Sequence, residues 1–96
     1  MILEHAVLPV RAGAEAEFEA AFSQARSLIV YQPRCRSLSL SRSIESPNSY
    51  LLLVEWDNLE AHTEGFHASA EYQAWKRLLH HFYEPFPTVE HFVAVP

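Results

Sequence analysis

The sequence predicts an α+β fold with elements in the order strand, helix, strand, strand, helix, strand, and three features of the 96-residue chain point to it. Two segments carry apolar residues at helical spacing. Between them, a strictly alternating stretch and a continuous apolar run flank the turn residues "ESPNS". An apolar strand-like segment stands before the first helix and another after the second.

The opening "MILEHAVLPV" is apolar at most positions, interrupted by Glu4 and His5, and reads as a strand buried on both faces or nearly so, ending near Pro9. After "RAG", Phe18, Phe22, Ala25 and Ile29 recur on one helical face, and Glu15, Glu17 and Glu19 lie near the start, where the helix dipole favours anions. In "RCRSLSLSRSI", Cys35, Ser37, Ser39 and Ser41 alternate with Arg36, Leu38, Leu40 and Arg42, which predicts a half-buried strand. Across the turn, "YLLLVEW" reads as a central strand and closes an antiparallel hairpin.

Asp57 and Glu60 have the spacing of an acidic capping box, so a short helix is expected to start there with Leu59, His62, Thr63 and Phe66 facing inward. Gly65 weakens it near its end. Ser69 is placed to cap a second helix on which Tyr72, Trp75, Leu79 and Phe82 form the apolar stripe, leaving His80 and His81 towards solvent. "EPFP" stops that helix and "TVEHFVAV" supplies the last strand.

Right-handed crossovers turn this order into a ferredoxin-like βαββαβ domain over residues 1–96, a four-stranded antiparallel sheet with both helices on one face. The first, third and fourth strands are apolar on both faces, so a second copy is expected to cover the open face and form a homodimer. The formal net charge of −5, with no cluster of Lys or Arg, argues against nucleic acid as a partner. No apolar run approaches the roughly 18 residues of a membrane span, so no membrane partner is expected. Cys35 is the single cysteine, which excludes an internal disulfide or a multi-cysteine metal site, and a reducing cytoplasm is the expected location. Arg34 and Arg36 flank that thiol, but alternate directions along a strand make a plain surface thiol the simpler reading.

The order, the size and the stretch "LLLVEWDNLEAHTEGFHASAEYQAW", with the closing "VEHF", resemble the antibiotic biosynthesis monooxygenase family of dimeric α+β barrels over nearly the whole chain. Glu55 and Trp56 at a strand end, Glu60 and Ala61 in the helical segment, then Ser69 and Tyr72 carry the resemblance. It implies a small oxygenase that acts on a phenolic or quinol compound without metal, flavin or haem, in a pocket between sheet and helices. A haem-degrading branch of the superfamily shares the topology but uses an Asn on the first strand with a Trp and a His on the helical segment. Here the first strand has Glu4 and His5, and the corresponding helical positions hold Gly65 or Phe66 and Trp75 or Lys76, so haem is a minor alternative.

Triplet oxygen reacts slowly with closed-shell molecules, so such an enzyme needs a base that makes its substrate electron-rich. A neutral imidazole titrates in the useful range, which makes His62 the first candidate for that base, with His67 at the helical junction and His91 on the last strand as further candidates. The competing reading of His62 is a core histidine hydrogen-bonded to a backbone carbonyl. Trp56, Phe66, Tyr72, Trp75 and Tyr83, together with Phe82, are candidates to line a cavity for a flat aromatic ligand and O2, and equally candidates for plain core. His5 and His91 fall on strands predicted to be neighbours and could imitate a metal site with Glu90 or Glu55, but no HxH or HxxxH pair supports it, so no metal is assigned. A non-catalytic ligand-binding or stress-related dimer, or an isomerase or lyase of small carbonyl compounds, could use the same scaffold.

Overall fold

A computed structural model describes residues 1–96. Strand β1 (Ile2–Pro9) leads to helix α1 (Glu15–Val30), strands β2 (Cys35–Arg42) and β3 (Ser49–Trp56) form the hairpin, a π-helical turn spans Ala61–Phe66, and helix α2 (Ala70–Leu79) precedes β4 (Val89–Phe92). The antiparallel sheet has the order β2-β3-β1-β4, the ferredoxin-like arrangement expected. No helix is long and apolar enough to cross a membrane.

Alternation along the strands divides the sheet into two faces. Glu4, Ala6, Leu8 and Val10 from β1 and its continuation, with Tyr50, Leu52, Val54 and Trp56 from β3, are buried under the helices. Helix α1 contributes the anticipated stripe of Phe18, Phe22, Ala25 and Ile29, and α2 contributes Trp75 and Leu79. The Ser69 side chain caps α2 by accepting from the Tyr72 amide at 3.2 Å. On the opposite face lie Leu3, His5 and Val7, which pair with Glu55, Leu53 and Leu51 of β3, and Phe92, which pairs with Leu3.

Four local expectations are corrected. A bulge at Arg36 gives β2 one extra residue between Cys35 and Ser37, which brings Cys35 onto the core side with Leu38 and Leu40; the thiol is half-buried. Arg36 is thereby released to pair with Asp57. Asp57 is thus not the cap of the following turn: Asn58 Oδ1 accepts from the Ala61 amide at 2.9 Å instead. The turn itself closes by a bond from the His67 amide to the His62 carbonyl at 3.2 Å, five residues apart, rather than the four of an α-helix. This wider register buries Ala61, His62 and Phe66 and leaves Leu59 and Thr63, both expected inside, exposed.

Candidate functional site

A cavity of about 360 Å³ opens between the helix-covered face of the sheet, the π turn and α2. The central strands supply its floor with Glu4, Ala6, Leu8 and Leu52, and Phe66, Tyr72, Trp75 and Tyr83 supply aromatic walls. His62, His67, His80 and His91 also reach it. This volume lies at the small end of ligand pockets, which run from roughly 300 to 1,000 Å³.

The polar cluster at one end of the cavity is built from four separate elements. Glu4 on β1 and His91 on β4 are directly opposed in the sheet register, so both side chains project to the helix side. Trp56, at the end of β3, donates its indole N–H to Glu4 Oε1 at 2.9 Å. The π turn lays His62 on the Trp56 ring, near-parallel at 23° and with centroids 5.4 Å apart. From there His62 Nδ1 meets His91 Nε2 at 2.8 Å, while His62 Nε2 lies 3.4 Å from Glu4 Oε1. His67 stands edge-on to His62 at 4.5 Å between centroids and faces Tyr72 at the same distance.

Glu4 and His62 are each only 4% exposed. Burial pushes the Glu4 carboxyl up from 4.5 to about 7, against the lowering effect of the Trp56 N–H. Burial, reinforced by His67 and His91, pushes His62 down from 6.5 to about 3. Although the two lie close enough to form an ion pair, His62 is uncharged near neutrality and Glu4 is poised between its acid and carboxylate forms, so the contact is not a salt bridge. His67 is lowered by burial, then by His91 and Lys76, and His80 by burial, then by Lys76 and His67. Burial raises the Tyr72 and Tyr83 hydroxyls, and Glu4 adds to both. Burial therefore disfavours charge on each of these groups.

Of the candidates taken from the sequence, His62, His67, His91, Phe66, Tyr72, Trp75 and Tyr83 are brought together around the cavity. Trp56 is not on its wall: the indole is fully buried behind Glu4 and His62 and acts on them rather than on a ligand. Phe82 likewise packs in the core, against Phe18. His5 projects to the other face of the sheet, opposite Glu90 and against Phe92, which separates it from His91. No three His, Cys, Asp or Glu side chains are grouped so as to hold a metal ion.

Two titratable residues of the cavity were missed. Glu4 shares the inward phase of Ala6, Leu8 and Val10, and reading β1 with a period of two exposes it as an acid in an otherwise apolar row. His80, expected in solvent, is half-buried because the chain tightens into a single turn over His80–Phe82, which sets the ring against Phe86 with centroids 4.9 Å apart.

The chain is thus an α+β domain with one sheet face roofed by helices and a histidine-lined apolar cavity beneath them. The chain belongs to the antibiotic biosynthesis monooxygenase family, whose model matches residues 1–78. It is 55% identical over 92 residues to the uncharacterised protein YczJ of Bacillus subtilis (strain 168), covering 96% of this chain and 97% of that one. A Bordetella bronchiseptica protein assigned to the antibiotic biosynthesis monooxygenases has a crystal structure similar to this one, with a TM-score of 0.92, 38% identity and coverage of 99% and 97% of the two chains. SnoaB from Streptomyces nogalater, a cofactor-independent oxygenase, aligns with a TM-score of 0.79 at 25% identity over 99% of this chain and 93% of its own.

Proposed function

We propose that the protein is a cofactor-independent monooxygenase that acts on a small phenolic or quinol compound bound in the cavity. The observation that carries this reading is the set of proton-exchanging side chains, Glu4, His62, His67 and His91, gathered at one end of an aromatic-walled cavity, with burial raising the Glu4 carboxyl and lowering the His62 and His67 imidazoles. Family membership supports it.

Deprotonation of a bound phenol raises its energy as an electron donor, and the phenolate then supplies all the electrons that O2 accepts. In the balanced reaction a phenol and O2 give a quinone and water: one oxygen atom replaces ring hydrogen as a carbonyl, and the other leaves as water. The proton removed at the start is needed again when the O–O bond breaks. The site must therefore hold a proton as well as take one, which suits the Glu4 carboxyl, displaced to about 7. In this reading His62, His67 and His91 form the proton-handling side of the pocket, and Phe66, Tyr72, Trp75 and Tyr83 hold the ring.

A panel of phenols and hydroquinols is expected to reveal at least one that drives oxygen uptake with no added flavin, haem or metal. Under 18O2 the product should gain one labelled atom. Ligand binding without oxygen uptake would favour the non-catalytic module, and conversion under argon would favour the isomerase or lyase, which needs the same proton groups but no O2.

The protein is further proposed to work as a homodimer. Val7 and Phe92, on the sheet face that the helices leave open, are 49% and 45% exposed, and they lie among Leu3, Leu51 and Leu53. An apolar surface of this kind is normally covered in a stable protein. Light scattering at low micromolar concentration is expected to give twice the mass of one chain. A persistent monomer would remove this part of the reading.

A further inference from the structure

We propose that Glu4, His62 and His91 form a proton-conducting line from the floor of the cavity to solvent, with the Glu4 carboxyl as its inner terminus and His91 as its outlet. Geometry carries the line and the raised Glu4 carboxyl supports it; only its use during turnover rests on the monooxygenase reading.

Burial is graded along it. Glu4 and His62 are buried, whereas His91, on the edge strand β4, is exposed. The decisive feature is that His62 has a titratable partner at each ring nitrogen, His91 Nε2 at Nδ1 and Glu4 Oε1 at Nε2. A packing histidine is usually anchored to a backbone carbonyl, which cannot take up a proton. An imidazole with a proton carrier on both sides can accept at one nitrogen while releasing from the other.

Two arrangements of the line are internally consistent. When Glu4 is a carboxylate, it accepts from His62 Nε2–H, and His62 Nδ1 accepts from His91 Nε2–H. When a proton enters from water at His91 Nδ1, the His91 Nε2 proton passes to His62 Nδ1 and the His62 Nε2 proton passes to Glu4. Glu4 is then a carboxylic acid donating to His62 Nε2, and His62 donates from Nδ1 to His91. One proton has moved in, each N–H bond broken is matched by one formed, and His62 has exchanged tautomers. The 3.4 Å separation of Glu4 and His62 is long for a hydrogen bond, and such contacts commonly tighten when a site is filled.

The surroundings suit the division of labour. Cys35 from β2, Trp56 from β3, and Tyr72 and Tyr83 from the helical side are the polar groups around Glu4, and none is a cation that would pin it as a carboxylate. Lys76 of α2 acts on His67 and His80. Glu4 can thus store a proton near neutrality, while His62, far less basic, passes a proton on without holding it. With a ligand plugging the cavity, this route still connects the buried carboxyl to water. In turnover it would set Glu4 as the carboxylate that receives the phenolic proton and later returns it to the peroxide oxygen.

The test needs no substrate. Infrared spectroscopy should show a buried carboxyl losing its proton near pH 7, and nitrogen-15 NMR should show His62 changing from the Nδ1–H to the Nε2–H tautomer with the same midpoint. In Glu4→Gln, which keeps an acceptor for Trp56, both transitions should vanish. In His91→Ala, exchange of the His62 ring proton with water should slow by roughly 100-fold, the order that a positioned imidazole contributes to proton transfer, and added imidazole should restore it. A single His62 tautomer across the Glu4 transition, no carboxyl titrating above pH 6, or unchanged exchange in His91→Ala would each overturn the line. A protein that takes up no oxygen but passes these tests would overturn the proposed function and leave the line standing.

Discussion

Replacing His62 with alanine is expected to lower oxygen uptake by roughly 100- to 10,000-fold, the contribution typical of a positioned proton-transfer group. The substitution also removes a ring stacked on Trp56 and leaves Glu4 and His91 without their common partner, so it should cost stability, by roughly 1 to 3 kcal/mol from the unpaired groups. Turnover must therefore be compared at a temperature where circular dichroism shows both proteins folded. His67→Ala should cost less on both counts, because His67 is exposed at the rim of the cavity. Full turnover in a destabilised His62→Ala would make His62 a packing residue, and the search for a base would move to His67, His91 and Glu4.

The second large effect is on stability as a function of pH. Glu4 has a folded-state pKa above its unfolded value, so between pH 4.5 and about 7 the folded chain keeps a proton that the unfolded chain has released. Stability from this group falls as pH rises through that window and stays lower above it. Its burial as a carboxylate costs about 3 kcal/mol at pH 8, taking 1.36 kcal/mol per unit. His62 acts with the opposite sign. Its pKa is depressed, so between pH 6.5 and about 3 the unfolded chain takes a proton that the folded chain refuses, and stability falls as pH falls. Over pH 4.5 to 6.5 the two slopes nearly cancel. Glu4→Gln should unmask the His62 slope there, match the parent protein near pH 4, and exceed its stability by about 3 kcal/mol at pH 8. Urea unfolding at several pH values checks this. An equal offset at pH 4 and pH 8 would mean that the Glu4 carboxyl has the same pKa in the folded and unfolded chains, so that burial does not displace it.

The topology was legible because it rests on periodicities that single segments display by themselves. The row of Phe18, Phe22, Ala25 and Ile29 needs only the helical repeat, and Ser69 needs only its position ahead of Tyr72. What escaped depends on partners distant in sequence or on a change of register. Glu4 looks like an interruption in an apolar strand until Trp56, which follows it by 52 residues, is seen to hold it. The bulge at Arg36 moves Cys35 across the sheet, and nothing in the alternation of serines and leucines announces an extra residue. Treating Ala61–Phe66 as ordinary α-helix placed His62 and Phe66 inside correctly, but put Leu59 and Thr63 with them.

That same segment has a consequence for how readily the site can be lost or altered by insertion and deletion. An α-helix advances 100° per residue, so a one-residue change in length rotates everything beyond it by more than a quarter turn. The π turn is a stretch in which one surplus residue is absorbed locally, leaving Ser69 and α2 in phase with the core. Removing a single codon between Ala61 and Phe66 would let the segment relax into the commoner helix while the sheet and both long helices kept their packing. The imidazole beside Trp56 would be swung out of line with Glu4 and His91 at a stroke. The fold would survive such an event far better than its chemistry, which makes the length of this segment, as much as the identity of its histidines, the character to compare among relatives.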